Sequence, residues 1–166
     1  MWMATEDRGL AATLYGPCSL RARVADGPAV EIACGTAYPF DEEIQMTVRP
    51  EREVDFPLYL RIPVWCRDPS IEVNGRPVAR EVDGKGFAKI RRVWSSGDRV
   101  TLRLPMRTEI IVGQETPYPQ DKYFQKRSLS KLTEIHNPFA CVTHGPLLFA
   151  LPIADKDPNE PMEGAA

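Results

Sequence analysis

Apolar residues recur at every second position along most of this chain, and that period constrains its fold more than any other property. Ile44, Met46 and Val48 alternate with Gln45, Thr47 and Arg49, the pattern of a strand with one buried face. Phe56, Leu58, Leu60 and Ile62 repeat it, with Tyr59 and Arg61 on the other side. Ile71 and Val73 run into Asn74-Gly75, a dipeptide that accepts the positive φ of a tight hairpin, and the chain returns through Val78. Gly86 to Val93 is a further strand, turned by Ser96-Gly97-Asp98 into Val100, Leu102 and Leu104. Leu20–Val24 and Val30–Cys34 flank Ala25-Asp26-Gly27-Pro28, another hairpin. Ala140 to Leu151 is apolar almost throughout, as expected of a strand covered on both faces.

Roughly eight or nine strand-length segments separated by turn signals, with no amphipathic helix longer than two turns, predict an all-β fold. Two antiparallel sheets packed face to face close such a set, and a jelly-roll-like sandwich also protects its edges. The 16 prolines among 166 residues are roughly twice the usual share. Those in Phe56-Pro57-Leu58 and Ile62-Pro63-Val64 point to edge strands and loops, because proline has no N–H to give a ladder. The expected organisation is a single sandwich domain over 1–153, a long insertion at about 113–138, and a loose tail over 154–166. Within the insertion, Ser128 to Ile135 has room for one short helix.

Charge narrows the function classes. The chain carries 21 Lys and Arg against 23 Asp and Glu, a net −2, so the basic footprint of a nucleic-acid binder is missing and no nucleic-acid partner is expected. The longest apolar run, Pro146 to Ile153, is too short to cross a bilayer, so no membrane partner is expected. The start, Met1 to Gly9, is not a basic segment followed by an apolar one, which makes the cytoplasm the default expectation. Cys18, Cys34, Cys66 and Cys141 form no C-x-x-C pair, so neither a zinc ribbon nor a dithiol redox motif is written here. Their even number permits two disulfides, but nothing in the context argues for an oxidising compartment. Cys34 and Cys141, among small and apolar neighbours, read as buried, inert thiols.

No residue of this chain is expected to be catalytic or to bind metal. The two histidines, His136 and His144, sit in no nucleophile motif. Asp41-Glu42-Glu43 reads as a solvated strand start, and Gly84-Lys85-Gly86 as a turn without the spacing or helix of a phosphate loop. Glu53, Asp55, Glu72, Glu81, Asp83, Glu109 and Glu134 are scattered, and sequence alone brings no two of them into the paired register that glycosidic hydrolysis uses. Aromatics remain. Tyr38, Trp65, Trp94, Tyr118 and Tyr123 are candidates for sugar contact, because an aromatic face suits the apolar face of a furanose or pyranose ring. The competing reading of Trp65 and Trp94 is that they cap the core at strand ends.

Several blocks taken together resemble one family. MWMATEDRGLAATLYGPCSL, TAYPFDEEIQMTVRPEREVDFPLYLRIPVWC, IEVNGRPV, GFAKIRRVWSSGDRVTLRLPM and HGPLLFALP follow one another here. In that order they are similar to the C-terminal part of family-127 glycoside hydrolases, typified by β-L-arabinofuranosidases. The resemblance covers nearly all of 1–153 apart from the insertion. It implies β-sandwich domains following a helical (α/α)6 barrel that carries catalysis, with a cysteine nucleophile held in a zinc site. A zinc-bound sulfur stays deprotonated at neutral pH, which makes it a competent acceptor of the glycosyl group. The adjacent Cys-Cys pair of that site, the barrel histidines and the acid/base glutamate have no counterpart here, so no catalytic or metal residue carries over and zinc is expected only in the absent barrel. The chain departs from the family at His144, where a basic residue usually stands, and in the length of the 113–138 connection.

The expected role is therefore a non-catalytic accessory sandwich, a fragment or a separate subunit, packing on a helical catalytic barrel in cis or in trans. An exposed apolar patch is then expected, with Met1 to Leu14 and Tyr118 to Phe139 as its candidates. The alternatives are an autonomous module that binds a plant-type glycan, and a structural sandwich that forms a homodimer.

Overall fold

Alternation of apolar and polar side chains produces strands wherever the chain is long enough to ladder. The computed structural model describes residues 1–25, 27–79, 82–114 and 138–149. Among these it contains no helix. The strands are β1 (Trp2–Ala4), β2 (Leu10–Ala12), β3 (Cys18–Arg23), β4 (Ala29–Thr36), β5 (Glu43–Pro50), β6 (Val54–Arg61) and β7 (Ser70–Val73). They continue with β8 (Arg76–Pro77), β9 (Phe87–Trp94), β10 (Asp98–Arg103), β11 (Thr108–Gln114), β12 (Pro138–His144) and β13 (Leu147–Phe149). The possible helix at Ser128–Ile135, Tyr118, Tyr123, His136, Glu81, Glu134 and the 154–166 tail lie outside the described residues.

The chain divides into two compact units, one of Met1–Arg107 with Gly145–Leu147, the other of Thr108–His144 with Leu148–Ala166. The first is a β-sandwich. One sheet has the order β1-β2-β6-β9 and the other β3-β4-β5-β10-β7-β8. Their inner faces follow the alternation. Phe56, Leu58, Leu60, Ala88, Ile90 and Trp94 from one sheet meet Val30, Ile32, Ile44, Met46, Val48, Val100 and Leu102 from the other in a single buried cluster. Each fully buried aliphatic or aromatic side chain contributes about 1.5–3 kcal/mol relative to exposure, so this cluster dominates the stability of the unit.

The turns behave as their residues dictate. Asn74 and Gly75 take φ of 52° and 73°, the pair of positive values that defines the type I′ hairpin joining β7 to β8. Asn74 also accepts the Arg99 N–H at 2.8 Å on its side-chain oxygen and donates its amide to Asp98 at 2.7 Å, tying the hairpin to β10. Gly97, at φ 94°, closes the turn into β10, and Asp98 accepts the Ser95 N–H at 2.9 Å.

Four expectations are corrected. The sandwich is not wholly antiparallel, because β2 runs parallel to β6 with Leu10 opposite Leu58 and Ala12 opposite Leu60. Pro57 is not on an edge: β6 lies between β2 and β9, and proline is accommodated there because the ladder to β2 begins only at Leu58. Ala140 to Leu151 is not one covered strand. Gly145, at φ 55°, breaks it into β12 and β13, which with β11 form a separate three-stranded sheet. In that second unit Ile110, Val112, Leu148 and Phe149 are exposed. Finally, Cys141 is only half-buried, whereas Cys34 is buried as expected.

Candidate functional site

Three strand ends of the sandwich unit converge on one groove of about 580 Å³, lined by Thr13, Leu14, Tyr15, Tyr38, Arg61, Pro63, Val64 and Trp65. Thr13 to Tyr15 leave the end of β2, Tyr38 follows β4, and Arg61 is the last residue of β6. Pro63 stops the strand, and the Cys66 N–H donates to the Pro63 carbonyl at 3.0 Å, so Val64 and Trp65 ride on a tight turn. Ile62-Pro63-Val64 reads from the sequence as an edge strand or loop, and it is the loop that follows β6.

Geometry within the groove is held by Tyr15. Its hydroxyl donates to the Arg61 carbonyl at 2.7 Å. Its ring meets Tyr38 edge to face, with centroids 6.0 Å apart and planes at 82°. The Tyr38 N–H donates to the Thr36 hydroxyl at 3.0 Å, which in turn donates to the Glu43 carbonyl at 2.7 Å, so the residue carrying that ring is anchored to β4 and β5. Burial pushes the Tyr15 hydroxyl well above the ordinary tyrosine range, the neighbouring Cys34 and Tyr38 add to this, and the Arg61 contacts oppose it. Burial likewise raises Tyr38, against the pull of the Arg61 charge. Neither phenol ionises near neutrality, so the groove offers aromatic faces, neutral hydroxyls and the Arg61 guanidinium. Among the described residues no carboxylate forms an ion pair with Arg61. No His, Cys, Asp or Glu is among the residues that line the groove.

Of the candidates for sugar contact, the structure brings Tyr38 and Trp65 to this groove. For Trp94 the competing reading, a core residue at a strand end, is the one the structure supports. Trp94 is fully buried, its indole N–H donates to the Phe56 carbonyl at 3.0 Å, and its ring packs 5.7 Å from Phe56. No sugar can reach it, so it is a core residue. Tyr15 and Arg61 were not singled out by sequence reasoning. Arg61 reads as an ordinary outward position in the alternation of β6, and Tyr15 sits in a short connection with no period to place it.

Several of the carboxylates are held by local structure. Asp55 pairs with Arg91 at 3.1 Å and Glu43 with Arg103 at 2.8 Å. Glu53 accepts the Ser95 hydroxyl at 2.8 Å, Glu42 the Met106 N–H at 2.7 Å, and Asp83 the Lys85 and Phe87 N–H groups of its own turn. His144 shares a 3.0 Å hydrogen bond with Thr108. Among the described residues no three His, Cys, Asp or Glu side chains converge as a metal site requires. No helix of the described residues is long and apolar enough to cross a membrane.

Residues 9–106 match the family model described as the middle domain of β-L-arabinofuranosidase, GH127. The chain belongs to the GH127 family. Solved structures agree with this. A GH127 β-L-arabinofuranosidase from Geobacillus stearothermophilus T6 is 32% identical with a TM-score of 0.65, over 89% of this chain and 20% of its own length. A second structure, named as a glycoside hydrolase, is 28% identical with a TM-score of 0.61, over 86% of this chain and 21% of that one. A GH127 β-arabinofuranosidase at 21% identity and a TM-score of 0.61 shares the fold over 87% of this chain and 22% of its own. This GH127 chain thus spans about a fifth of the length of the enzymes it matches. No curated protein matches it. The GH127 match ends at 106, next to Arg107, the last residue of the continuous part of the sandwich unit.

Proposed function

We propose that this chain is the non-catalytic β-sandwich part of a β-L-arabinofuranosidase-like glycoside hydrolase and packs on a helical catalytic barrel, in cis or in trans. Zinc, on this reading, is held by the barrel. The observation that carries it is the groove rim. Val64 is 99% exposed and Leu14 56% exposed beside half-buried Tyr15, Tyr38 and Trp65, an apolar lip around a guanidinium that suits a protein surface. Within the segment expected to dock, Met1, Met3 and Leu14 are exposed while Leu10, Ala11 and Ala12 are buried.

The test mixes the full chain with the helical barrel of a GH127 relative and follows complex formation by analytical ultracentrifugation, with arabinose release as a second readout. A complex is expected, with Val64→Asp weakening it at least about tenfold, or ~1.4 kcal/mol. Val93→Asp, at an exposed position on the outward side of β9, is expected to leave it unchanged. Arabinose release by this chain alone would refute the reading.

A second reading is favoured by the presence of Tyr38, Trp65 and Arg61 in one groove: a site that takes a plant-type glycan, with the rings as stacking faces. Calorimetric titration with arabinofuranosides separates the two, since docking alone predicts no heat. The third, a homodimer across the same lip, predicts a doubled mass in light scattering.

A further inference from the structure

Cys18 and Cys34 lie 16 positions apart in sequence but directly opposite one another in the antiparallel pair of β3 and β4. Directly opposed residues project from the same face of the sheet. Their neighbours in register, Leu20 opposite Ile32 and Ala22 opposite Val30, show which face this is: Ile32 and Val30 are fully buried in the core. Opposed Cα atoms in an antiparallel pair are separated by about 4.5–5.5 Å, inside the window of about 4.4–6.8 Å that a disulfide spans. Cys18 is exposed, at the start of an edge strand, whereas Cys34 is buried. The Trp2 indole N–H donates to the Cys18 sulfur at 3.4 Å and orients it. Neither Cys66, in the turn after β6, nor Cys141, in β12, has a cysteine opposite it in any strand register of the described residues.

We propose that Cys18 and Cys34 form an oxidative modification site that closes to a cross-strand disulfide by exchange with a small-molecule disulfide such as oxidised glutathione. The Cys18 thiolate attacks one sulfur of the oxidised glutathione, whose S–S bond breaks, and one glutathione leaves as a thiolate and takes up a proton. Cys34 then loses its proton to solvent and attacks the Cys18 sulfur of the mixed disulfide, displacing the second glutathione. Two protein thiols are oxidised and one glutathione disulfide is reduced to two thiols, so electrons balance. Exposure makes Cys18 the attacking residue, and burial, which raises the Cys34 thiol, makes closure the slow step. The product pins edge strand β3 to β4 beside Tyr15 and the groove.

The test equilibrates the full chain in glutathione buffers of increasing oxidised fraction, blocks free thiols with a maleimide, and maps disulfides by mass spectrometry after trypsin. Cleavage at Arg21 and Arg23 separates the two cysteines, so a linked peptide pair reports the bond directly. Expected are that linked pair, a transient glutathione adduct on Cys18, a melting temperature raised by several degrees, and a change in fluorescence that Trp2→Phe removes. Cys34→Ser stalls at the Cys18 adduct. A persistent adduct with Cys34 unreacted in the wild-type chain overturns the proposal. So does a disulfide through Cys66 or Cys141, a Cys18-linked dimer, or no reaction.

Discussion

Trp94 and Trp65 show how much one residue's fate depends on phase. Trp94 continues the even-numbered inward positions of β9 after Ala88 and Ile90, so counting along the strand places it in the core, where it is fully buried. Trp65 sits in a turn with no phase to count, and its half-exposed position in the groove was not legible. Replacing Trp94 with Ala removes the largest fully buried side chain and its indole hydrogen bond to the Phe56 carbonyl. The expected loss is about 3–5 kcal/mol in urea unfolding, with Trp94→Phe recovering part of it. Asp7 is a second single-residue determinant. Partial burial disfavours its charge, but hydrogen bonds from Thr5, Tyr59 and Lys89 and the Lys89 charge outweigh that and hold its carboxyl well below the usual carboxylate range. Because its folded pKa lies below the unfolded value, its contribution to stability is complete above the ordinary 3.8 and is lost as pH falls from there through the folded pKa. The stability gap between wild type and Asp7→Asn, measured by denaturant midpoints, is therefore expected to be widest near neutrality and to shrink steadily below that value. No period or motif marks Asp7, whose Tyr59 and Lys89 partners are 52 and 82 residues away.

Elements divide into those with a local cause and those without. The β7–β8 hairpin, the turn before β10 and the β4, β5, β6, β9 and β10 strands follow from alternation and from Asn74, Gly75 and Gly97, and they form where those residues require. β1 and β2 are three residues each, too short for a period to register, and the parallel pairing of β2 with β6 has no signature in either segment. What permits it is Gly9. A Cβ there would lie 2.2 Å from the Pro57 carbonyl oxygen and 2.5 Å from its ring, so any side chain must push β2 away from the strand it pairs with. Gly9→Ala is expected to cost about 1–3 kcal/mol by overpacking against backbone that cannot yield. Hydrogen exchange of the Leu10–Ala12 amides is expected to quicken more than that of β10, and equal effects on both would contradict this account. The break of Ala140–Leu151 into β12 and β13 shows the opposite lesson. Gly145-Pro146 carries the turn signal, and the apolar run around it conceals that signal.

At the scale of the whole molecule, every residue of the buried cluster falls between Leu10 and Leu104. The GH127 match covers nearly the same span, 9–106. Ending the chain after Arg107 removes none of that cluster, although it deletes Gly145, whose N–H donates to the Arg107 carbonyl at 3.3 Å. The shortened chain is expected to unfold cooperatively with a melting temperature only a few degrees lower in calorimetry. Loss of a cooperative transition would show that the sandwich depends on the remainder. The second unit has exposed Ile110, Val112, Leu148 and Phe149 on its short sheet, so it is the weaker contributor to such a transition.

The amino-acid order by itself determined that this is an all-β chain with alternating faces, where its tight turns fall, and that it carries blocks resembling GH127 enzymes, because side-chain period and turn chemistry act over neighbouring residues. Only the tertiary structure decided that β2 joins β6 in parallel, that Trp94 is core while Tyr15, Tyr38, Arg61 and Trp65 share a groove, and that Cys18 faces Cys34. Those facts join residues through the packing of two sheets, and nothing in the spacing along a strand records what stands on the strand beside it.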